Sequence, residues 1–242
     1  MNLPKVNSIR TDEIKFGKDR IVIRPWSNRD MVNYEDRRDK MMETDDYTTA
    51  DRFQQKYMID NLIYEILVKP NIVETTREQL SYYERNVLFI KQYKISRGTQ
   101  IPVGVTCQVE TCKHRSEVMF NIDKNVTFEP FKPRTITTKD FKFELKNSTW
   151  VPEGDGSLDA KFMASWIKTV EHNGNKTIVT DIDELAEWID VELDEKNFDE
   201  LREKIFEATP KIIMKMDVKC EMCGDETQYV FYDIPDFSIV AL

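Results

Sequence analysis

The sequence predicts an α+β fold in three parts: an N-terminal region of helices and strands, a discontinuous ribbon of two distant β-hairpin knuckles, and a mixed α/β insert between them. Two cysteine pairs, each flanked by alternating apolar and polar residues, indicate the hairpins. Apolar residues at helical spacing indicate the helices, and one Asn-Gly step indicates a further hairpin. The predicted division is an N-terminal region over 1–102, a first hairpin over 103–123, the insert over 124–213, and a second hairpin with a tail over 214–242.

Composition limits the class of protein. Of the 242 residues, 40% are apolar and 33% charged, so the chain is expected to fold around a hydrophobic core and not to be disordered. No apolar run approaches the roughly 20 residues of a membrane helix. The start of the sequence also lacks the apolar stretch of a secretion signal. We therefore expect a soluble protein with no membrane partner.

The N-terminal region shows one strand and three helices in order. Arg20–Arg24 alternates like a strand, and Ser27 is placed to cap a helix that runs to about Lys40. The polar stretch Glu43–Asp51 predicts a loop. A second helix is expected over Arg52–Val68. The third helix begins with the capping-box pattern at Ser81 and ends near Gly98.

The four cysteines form two short-range pairs: C-x4-C at Cys107 and Cys112, and C-x2-C at Cys220 and Cys223. A short spacing lets one turn aim both sulfurs at one point. Four thiolates satisfy the tetrahedral coordination of Zn²⁺. In a chain without an export signal, paired cysteines favour a metal site over disulfides. The sequence therefore predicts one zinc ion bound by all four, with unconnected thiols, a disulfide or a redox role as alternatives.

The residues after each pair follow the same pattern. Val118 and Tyr229 both lie six positions after the last cysteine of their pair, and Phe120 and Phe231 both lie eight positions after it. In the first segment the alternation extends to Ile122. Each pair therefore predicts strand, knuckle, strand, and two such hairpins around one ion make a zinc ribbon. With four sulfur ligands there is no open coordination position, so the ion is expected to be structural.

The two histidines are the remaining ligand candidates. His114 lies two residues after Cys112 and is an alternative to one of the thiols, although a solvated loop position is the simpler interpretation. His172 precedes an Asn-Gly step and is interpreted as a turn residue of a hairpin between Trp166–Val170 and Lys176–Val179.

The insert combines strands with two acidic helices. Short strands are expected from Thr127 to Trp150, and a turn or linker at 152–156. Helices are predicted over Asp183–Asp190 and Asp194–Ala208. Twelve acids and three bases lie between residues 181 and 207, which accounts for the whole net charge of −9. These acids form either a solvated surface or a docking face for a basic partner.

The sequence contains no motif typical of an enzyme. It lacks a Gly-rich phosphate loop, a G-x-S-x-G elbow and an H-E-x-x-H pattern, and two histidines leave little material for a catalytic triad. We therefore predict no catalytic residues, no organic cofactor and no enzymatic activity.

Several segments resemble a known family. They are Ile21–Trp26, the Ile66–Pro70 segment followed by the helix with Tyr83–Phe89, the first knuckle, the Glu187–Asp190 segment, and the terminal C-x2-C-Gly hairpin. Together they resemble the baseplate hub and hub-assembly proteins of T-even-like contractile-tailed bacteriophages, over about residues 18–237.

The resemblance implies a late viral protein needed to build the tail baseplate hub. It implies action as a chaperone of the tape-measure protein or as a nucleus of hub assembly, without chemistry. The implied partners are other tail and hub proteins, and the implied location is the host cytoplasm during assembly. The resemblance does not decide whether the protein also stays in the virion baseplate. The family's metal knuckles map onto Cys107, Cys112, Cys220 and Cys223, although the first spacing is longer than the usual C-x2-C.

A nucleic-acid-binding zinc ribbon is the alternative function. Five basic side chains are the candidates for phosphate contacts: Lys113, Arg115, Lys124, Lys132 and Arg134. The basic surplus is small, with six bases and three acids from residue 124 to 146. Because binding to several phosphates normally requires a clear excess of positive charge, nucleic acid is the less favoured partner.

Overall fold

The computed structural model describes residues 10–50, 52–132, 134–149 and 158–231. These residues form a mixed α+β fold, which confirms the predicted class. The chain divides into two compact units: unit 1 comprises the described parts of 1–78, 84–128 and 212–242, and unit 2 comprises those of 79–83 and 129–211. The turn predicted at 152–156 and the tail beyond residue 231 lie outside the described residues.

The strands of both units are short. In chain order they are β1 Asp12–Phe16, β2 Asp19–Ile23, β3 Ile72–Thr75, β4 Gln100–Thr106, β5 Arg115–Asn121, β6 Val126–Glu129, β7 Thr135–Thr137, β8 Lys142–Leu145, β9 Ile167–His172, β10 Asn175–Ile178, β11 Lys211–Lys219 and β12 Glu226–Phe231. They form sheets in the orders β1-β2-β3, β4-β5, β12-β11-β6 and β10-β9-β8-β7.

Helices occupy most of the predicted positions. They are α1 Asn28–Met42, α2 Asp45–Thr49, α3 Arg52–Ile63, α4 Tyr82–Arg97, α5 Ile122–Asn125, α6 Leu158–Trp166, α7 Ile182–Glu192 and α8 Glu195–Ala208, with a 3-10 turn at Lys69–Asn71. Ser27 caps α1 in a full capping box with Asp30, as its position predicts. The predicted loop over Glu43–Asp51 is wrong in part, because Thr44 caps the short helix α2.

The helix predicted over Arg52–Val68 changes character before its end. α3 stops at Ile63, and residues 64–68 form a π-helical turn. Two backbone carbonyls at the end of this turn accept hydrogen bonds from side chains. That of Leu67 accepts from Asn71 Nδ2 at 2.8 Å, and that of Val68 accepts from Gln92 Nε2 at 3.2 Å. Both amide side chains are fully buried, so they supply the partners that this irregular backbone needs.

Unit 2 packs helices α6, α7 and α8 with its four-stranded sheet. Its Asn-Gly hairpin is present, with Asn173 and Gly174 in the left-handed conformation between β9 and β10. The helices contribute apolar residues at helical spacing, as on α8 with Leu201 and Ile205. The fully buried residues of this core are Phe143, Ala160, Met163, Ala164, Ile167, Ile189, Leu201 and Ile205.

Candidate metal centre

The first cysteine pair lies at the turn of the hairpin β4–β5. The strands pair antiparallel from Gln100 opposite Asn121 to Thr106 opposite Arg115. Val103 and Phe120 are buried on one face of this hairpin, which lies in unit 1. Cys107 follows β4 directly, and its N–H donates to the carbonyl of His114 at 2.8 Å. The alternation predicted as far as Ile122 is one residue too long, because Ile122 begins α5.

The second pair occupies the corresponding place in the hairpin β11–β12. Its strands pair from Met214 opposite Phe231 to Lys219 opposite Glu226. Cys220 follows β11 directly, and its N–H donates to the carbonyl of Asp225 at 2.8 Å. In both hairpins the acceptor is therefore the residue two positions after the second cysteine.

The two turns also end with the same backbone geometry. The residue after the second cysteine has a positive φ in each case: 46° at Lys113 and 76° at Gly224. Each of these residues donates its N–H to the carbonyl four residues back, Lys113 to Val109 at 3.1 Å and Gly224 to Cys220 at 2.9 Å. The C-x4-C turn has two more residues than the C-x2-C turn, and it takes them up before Val109. From Val109 and from Cys220 onward, the two turns have the same hydrogen bond and the same positive φ.

The fold brings all four sulfurs together. Every Sγ lies within 4.8 Å of the other three. Cys107 Sγ is 3.6 Å from Cys223 Sγ, and Cys112 Sγ is 3.8 Å from Cys220 Sγ. The cysteines are free thiols. In a tetrahedral zinc site with Zn–S bonds of about 2.3 Å, neighbouring sulfurs are about 3.8 Å apart. The four cysteines therefore lie close enough to bind one metal ion, and their spacing fits zinc.

Backbone N–H groups surround the sulfurs and shift their pKa values. The N–H of Cys223, followed by that of Met222, lowers the pKa of Cys220 to about 6. The N–H of Val109 lowers the pKa of Cys107, but burial and hydrogen bonds with the other three thiols raise it to about 12. Backbone N–H donors for negatively charged sulfur are thus in position in both hairpins.

Two polar side chains connect the second hairpin with the first hairpin and with α5. Tyr229 donates its hydroxyl to the carbonyl of Thr106 at 2.6 Å, and Asn125 Nδ2 donates to the carbonyl of Lys215 at 2.7 Å. The sequence patterns do not reveal either bond, because each joins residues that lie 90 or more positions apart. The bond from Tyr229 therefore joins the two hairpins beside Cys107, and the bond from Asn125 ties α5 to β11.

His114 lies beside the cluster. It lines a crevice of about 10 Å³ together with Cys107, Cys220 and Asp225, which is room for about one water molecule. Its imidazole is not among the ligand atoms that lie within 4.8 Å of one another, and that group consists of the four sulfurs. The described site thus has a full set of sulfur ligands without His114.

The comparisons with known proteins identify the family. Residues 6–237 match the family described as T4 bacteriophage base plate protein. The chain belongs to this family. Neither a curated protein nor a solved structure matches it. The resemblance to phage baseplate proteins is therefore confirmed at the level of the family.

Membership of the baseplate family answers several sequence predictions in general terms. It indicates a structural or assembly protein of the phage. Its partners are then other baseplate components, and its location is the virion tail. It favours a non-enzyme. None of the described helices combines the length and the apolar character needed to span a membrane.

The family does not favour the nucleic-acid alternative. The five basic candidates are all exposed, but they are divided between the units: Lys113, Arg115 and Lys124 lie in unit 1, and Lys132 and Arg134 in unit 2.

Proposed function

We propose that this baseplate protein acts in building the tail baseplate hub, as a non-enzymatic assembly protein held in shape by one structural zinc ion. The family match over residues 6–237 carries the baseplate role. The motifs at Ile21–Trp26 and Tyr83–Phe89 support the hub, because they resemble hub and hub-assembly proteins. The protein acts in the host cytoplasm as a nucleus of assembly or as a chaperone, with the tape-measure protein as one candidate partner.

The proposed zinc ligands are Cys107, Cys112, Cys220 and Cys223. Bound zinc supplies a cross-link between the two hairpins and makes them a zinc ribbon. Four sulfurs complete its tetrahedral coordination, so no position remains for water or a substrate. Cys107 and Cys223 are 116 residues apart in the sequence, and joining them restricts a long stretch of the unfolded chain. The site is therefore suited to stabilising unit 1.

Elemental analysis of the purified protein tests the metal. We expect one zinc per chain, lost in Cys223→Ser. Met222 lies between two of the ligands and is 71% exposed, so Met222→Ser is a matched control that retains zinc. A protein without metal, or a Cys223→Ser variant with full zinc content, contradicts the assignment. Iron in place of zinc would keep the four-sulfur site but overturn the choice of metal.

Deletion of the gene from the phage that encodes the protein tests the assembly role. We expect infected cells to accumulate heads and hub precursors without complete tails, and a plasmid copy of the gene to restore tails. Normal tails from the deleted phage contradict the role. Mass spectrometry of purified virions then shows whether the protein stays in the baseplate or leaves after assembly.

A further inference from the structure

An exposed aromatic pair lies between two helices of unit 2. Phe206 of α8 is 50% exposed, and its ring centroid is 5.2 Å from that of Phe162 on α6. Phe162 is half-buried and contacts Trp166, whose ring is 6.2 Å away and buried. The two phenylalanines thus form a shelf that is anchored in the core on one side and open to solvent on the other.

An ion pair accompanies the aromatic pair at the contact between α6 and α8. One turn before the aromatic pair, Arg202 of α8 pairs with Asp159 of α6 at 3.6 Å. The ion pair and the ring pair therefore follow one another along the line where α6 and α8 meet. An exposed aromatic pair where two helices meet offers the apolar face of a third helix a surface to pack on.

Carboxylates surround the aromatic pair. Asp199, Glu203 and Glu207 are exposed, and together with Phe206 they lie along the solvent side of α8 at intervals of three, four and seven residues. Asp199 pairs with Arg202 at 2.9 Å. In the described part of the chain, neither Glu203 nor Glu207 forms an ion pair. Their charges are therefore available to a positively charged partner.

We propose that this surface, formed by Phe162, Asp199, Glu203, Phe206 and Glu207 and here named the Phe206 face, binds a basic amphipathic helix of another baseplate component. An apolar side chain of that helix stacks on the Phe162–Phe206 shelf, and its Lys or Arg side chains pair with Glu203 and Glu207. A buried aromatic anchor inside a charged rim is the usual arrangement of an energetically important contact.

The charge of the face argues against other occupants. A second copy of the chain would bring carboxylates against carboxylates, because a two-fold contact pairs a surface with itself. Nucleic acid and anionic membranes present phosphates, which the same carboxylates repel. A basic amphipathic segment of a protein can pack its apolar side chains on the phenylalanines and pair its positive charges with the surrounding carboxylates.

This inference rests on the proposed function, because it names the surface that an assembly protein uses and the chemistry of its partner. The probe is a fluorescent 18-residue helical peptide of leucine and lysine with its leucines on one face, compared with a scrambled peptide of the same composition. Anisotropy is measured against the full chain. We expect the amphipathic peptide to bind more tightly and its affinity to fall with added salt.

Variants locate the binding. Phe206→Ala and the double variant Glu203→Lys/Glu207→Lys are each expected to weaken binding of the amphipathic peptide about tenfold or more. Two controls in the same unit are expected to bind as the wild type: Ile178→Ser, which removes a 69% exposed apolar side chain, and Glu184→Lys/Glu187→Lys, which changes the net charge equally on α7. Circular dichroism confirms that each variant is folded.

If the face variants and their controls lose the same affinity for the peptide, the binding is non-specific attraction to an acidic protein and the proposal is overturned. The proposal is also overturned if neither face variant loses affinity. Complementation of the deleted phage separates the two claims. A deleted phage that still forms tails contradicts the assembly role. If wild type restores tails and both Phe206→Ala and Glu203→Lys/Glu207→Lys do so equally well, the assembly role stands and the Phe206 face is rejected.

Discussion

Two single residues set the shape of the cysteine turns. Gly224 and Lys113 occupy the same left-handed position, directly after the second cysteine of each hairpin. Glycine adopts this conformation without a steric cost, whereas a side chain costs about 1–2 kcal/mol there. The first hairpin accepts that cost at Lys113, and the second avoids it with Gly224.

Replacing Gly224 by alanine tests this account. No atom lies within 4 Å of the added methyl group, so the cost comes from the backbone alone and is expected to be about 1 kcal/mol of unfolding free energy. Urea unfolding measures it. Gly17→Ala is the matched control, because Gly17 also has a positive φ (64°) and open surroundings but lies far from the cysteines in sequence.

We expect both variants to lose similar stability. With the zinc site proposed above, only Gly224→Ala is expected to bind zinc more weakly, because only Gly224 lies in a cysteine turn. Equal zinc affinity in the two variants would contradict the role of Gly224 in positioning the sulfurs.

At this scale the sequence predicts the four clustered thiols well, because short spacing and matching strand patterns are local signals. It does not reveal the bond from Tyr229 to Thr106, since a tyrosine in a strand has the same pattern whether its hydroxyl meets solvent or a distant carbonyl. The backbone donors from Val109 and Met222 are equally invisible, because they depend on turn geometry.

Among the elements, β8 holds its sheet partly through one carboxylate. Glu144 pairs with Lys168 of β9 at 2.8 Å and with Lys176 of β10 at 3.0 Å. Hydrogen bonds from Lys168 and then Lys176 lower the pKa of Glu144 from 4.5 to about 2. A lowered pKa in the folded state means that this contribution to stability is present above pH 4.5 and is lost as the pH falls towards 2.

Glu144→Gln is therefore expected to lower the melting temperature slightly at pH 7, and the difference from wild type is expected to shrink between pH 4.5 and 2. Thermal unfolding followed at several pH values measures it. The effect is modest because the three side chains are partly exposed. A difference that stays constant over that pH range would contradict the assignment.

Asp194 separates α7 from α8 and caps α8. Its side chain accepts from the N–H of Asn197 at 2.8 Å. Asp194→Ala is expected to cost about 1 kcal/mol of unfolding free energy, because the first turn loses its acceptor. Asp190→Ala is the control: this carboxylate lies near the C-terminus of α7, where negative charge is unfavourable, so its removal is expected to be neutral or slightly stabilising. Equal losses would show that capping is not the cause.

The elements that the sequence predicts have strong local signals. Both acidic helices begin at a capping aspartate and repeat apolar residues at helical spacing. β3 has four residues, and its partner β2 lies about 50 residues earlier, so its pairing depends on tertiary contacts. The sequence pattern does not predict α6, and it gives residues 64–68 the pattern of an ordinary helix. The side chains that bond to the last carbonyls of this π-turn, Asn71 and Gln92, come from later in the chain.

The molecule as a whole places both cysteine pairs in unit 1. Removing the proposed zinc ion with a chelator is therefore expected to act locally. Amide exchange should accelerate in the two hairpins, over residues 100–121 and 211–231, and stay unchanged in β9 and β10 of unit 2. At a free zinc concentration 1,000 times the dissociation constant, binding contributes about 4 kcal/mol. Equal acceleration in both units, or none in the hairpins, would contradict a structural ion in unit 1.

Because unit 2 interrupts unit 1 in the sequence, the two cysteine pairs are translated at different times. Residues 129–211 are translated after Cys107 and Cys112 but before Cys220 and Cys223. A ribosome that stops within this stretch releases a product with two of the four sulfurs, too few to fill a tetrahedral shell. In the proposed zinc site, binding by all four sulfurs therefore waits until Cys220 and Cys223 have been translated, and chains that end before them lack this cross-link.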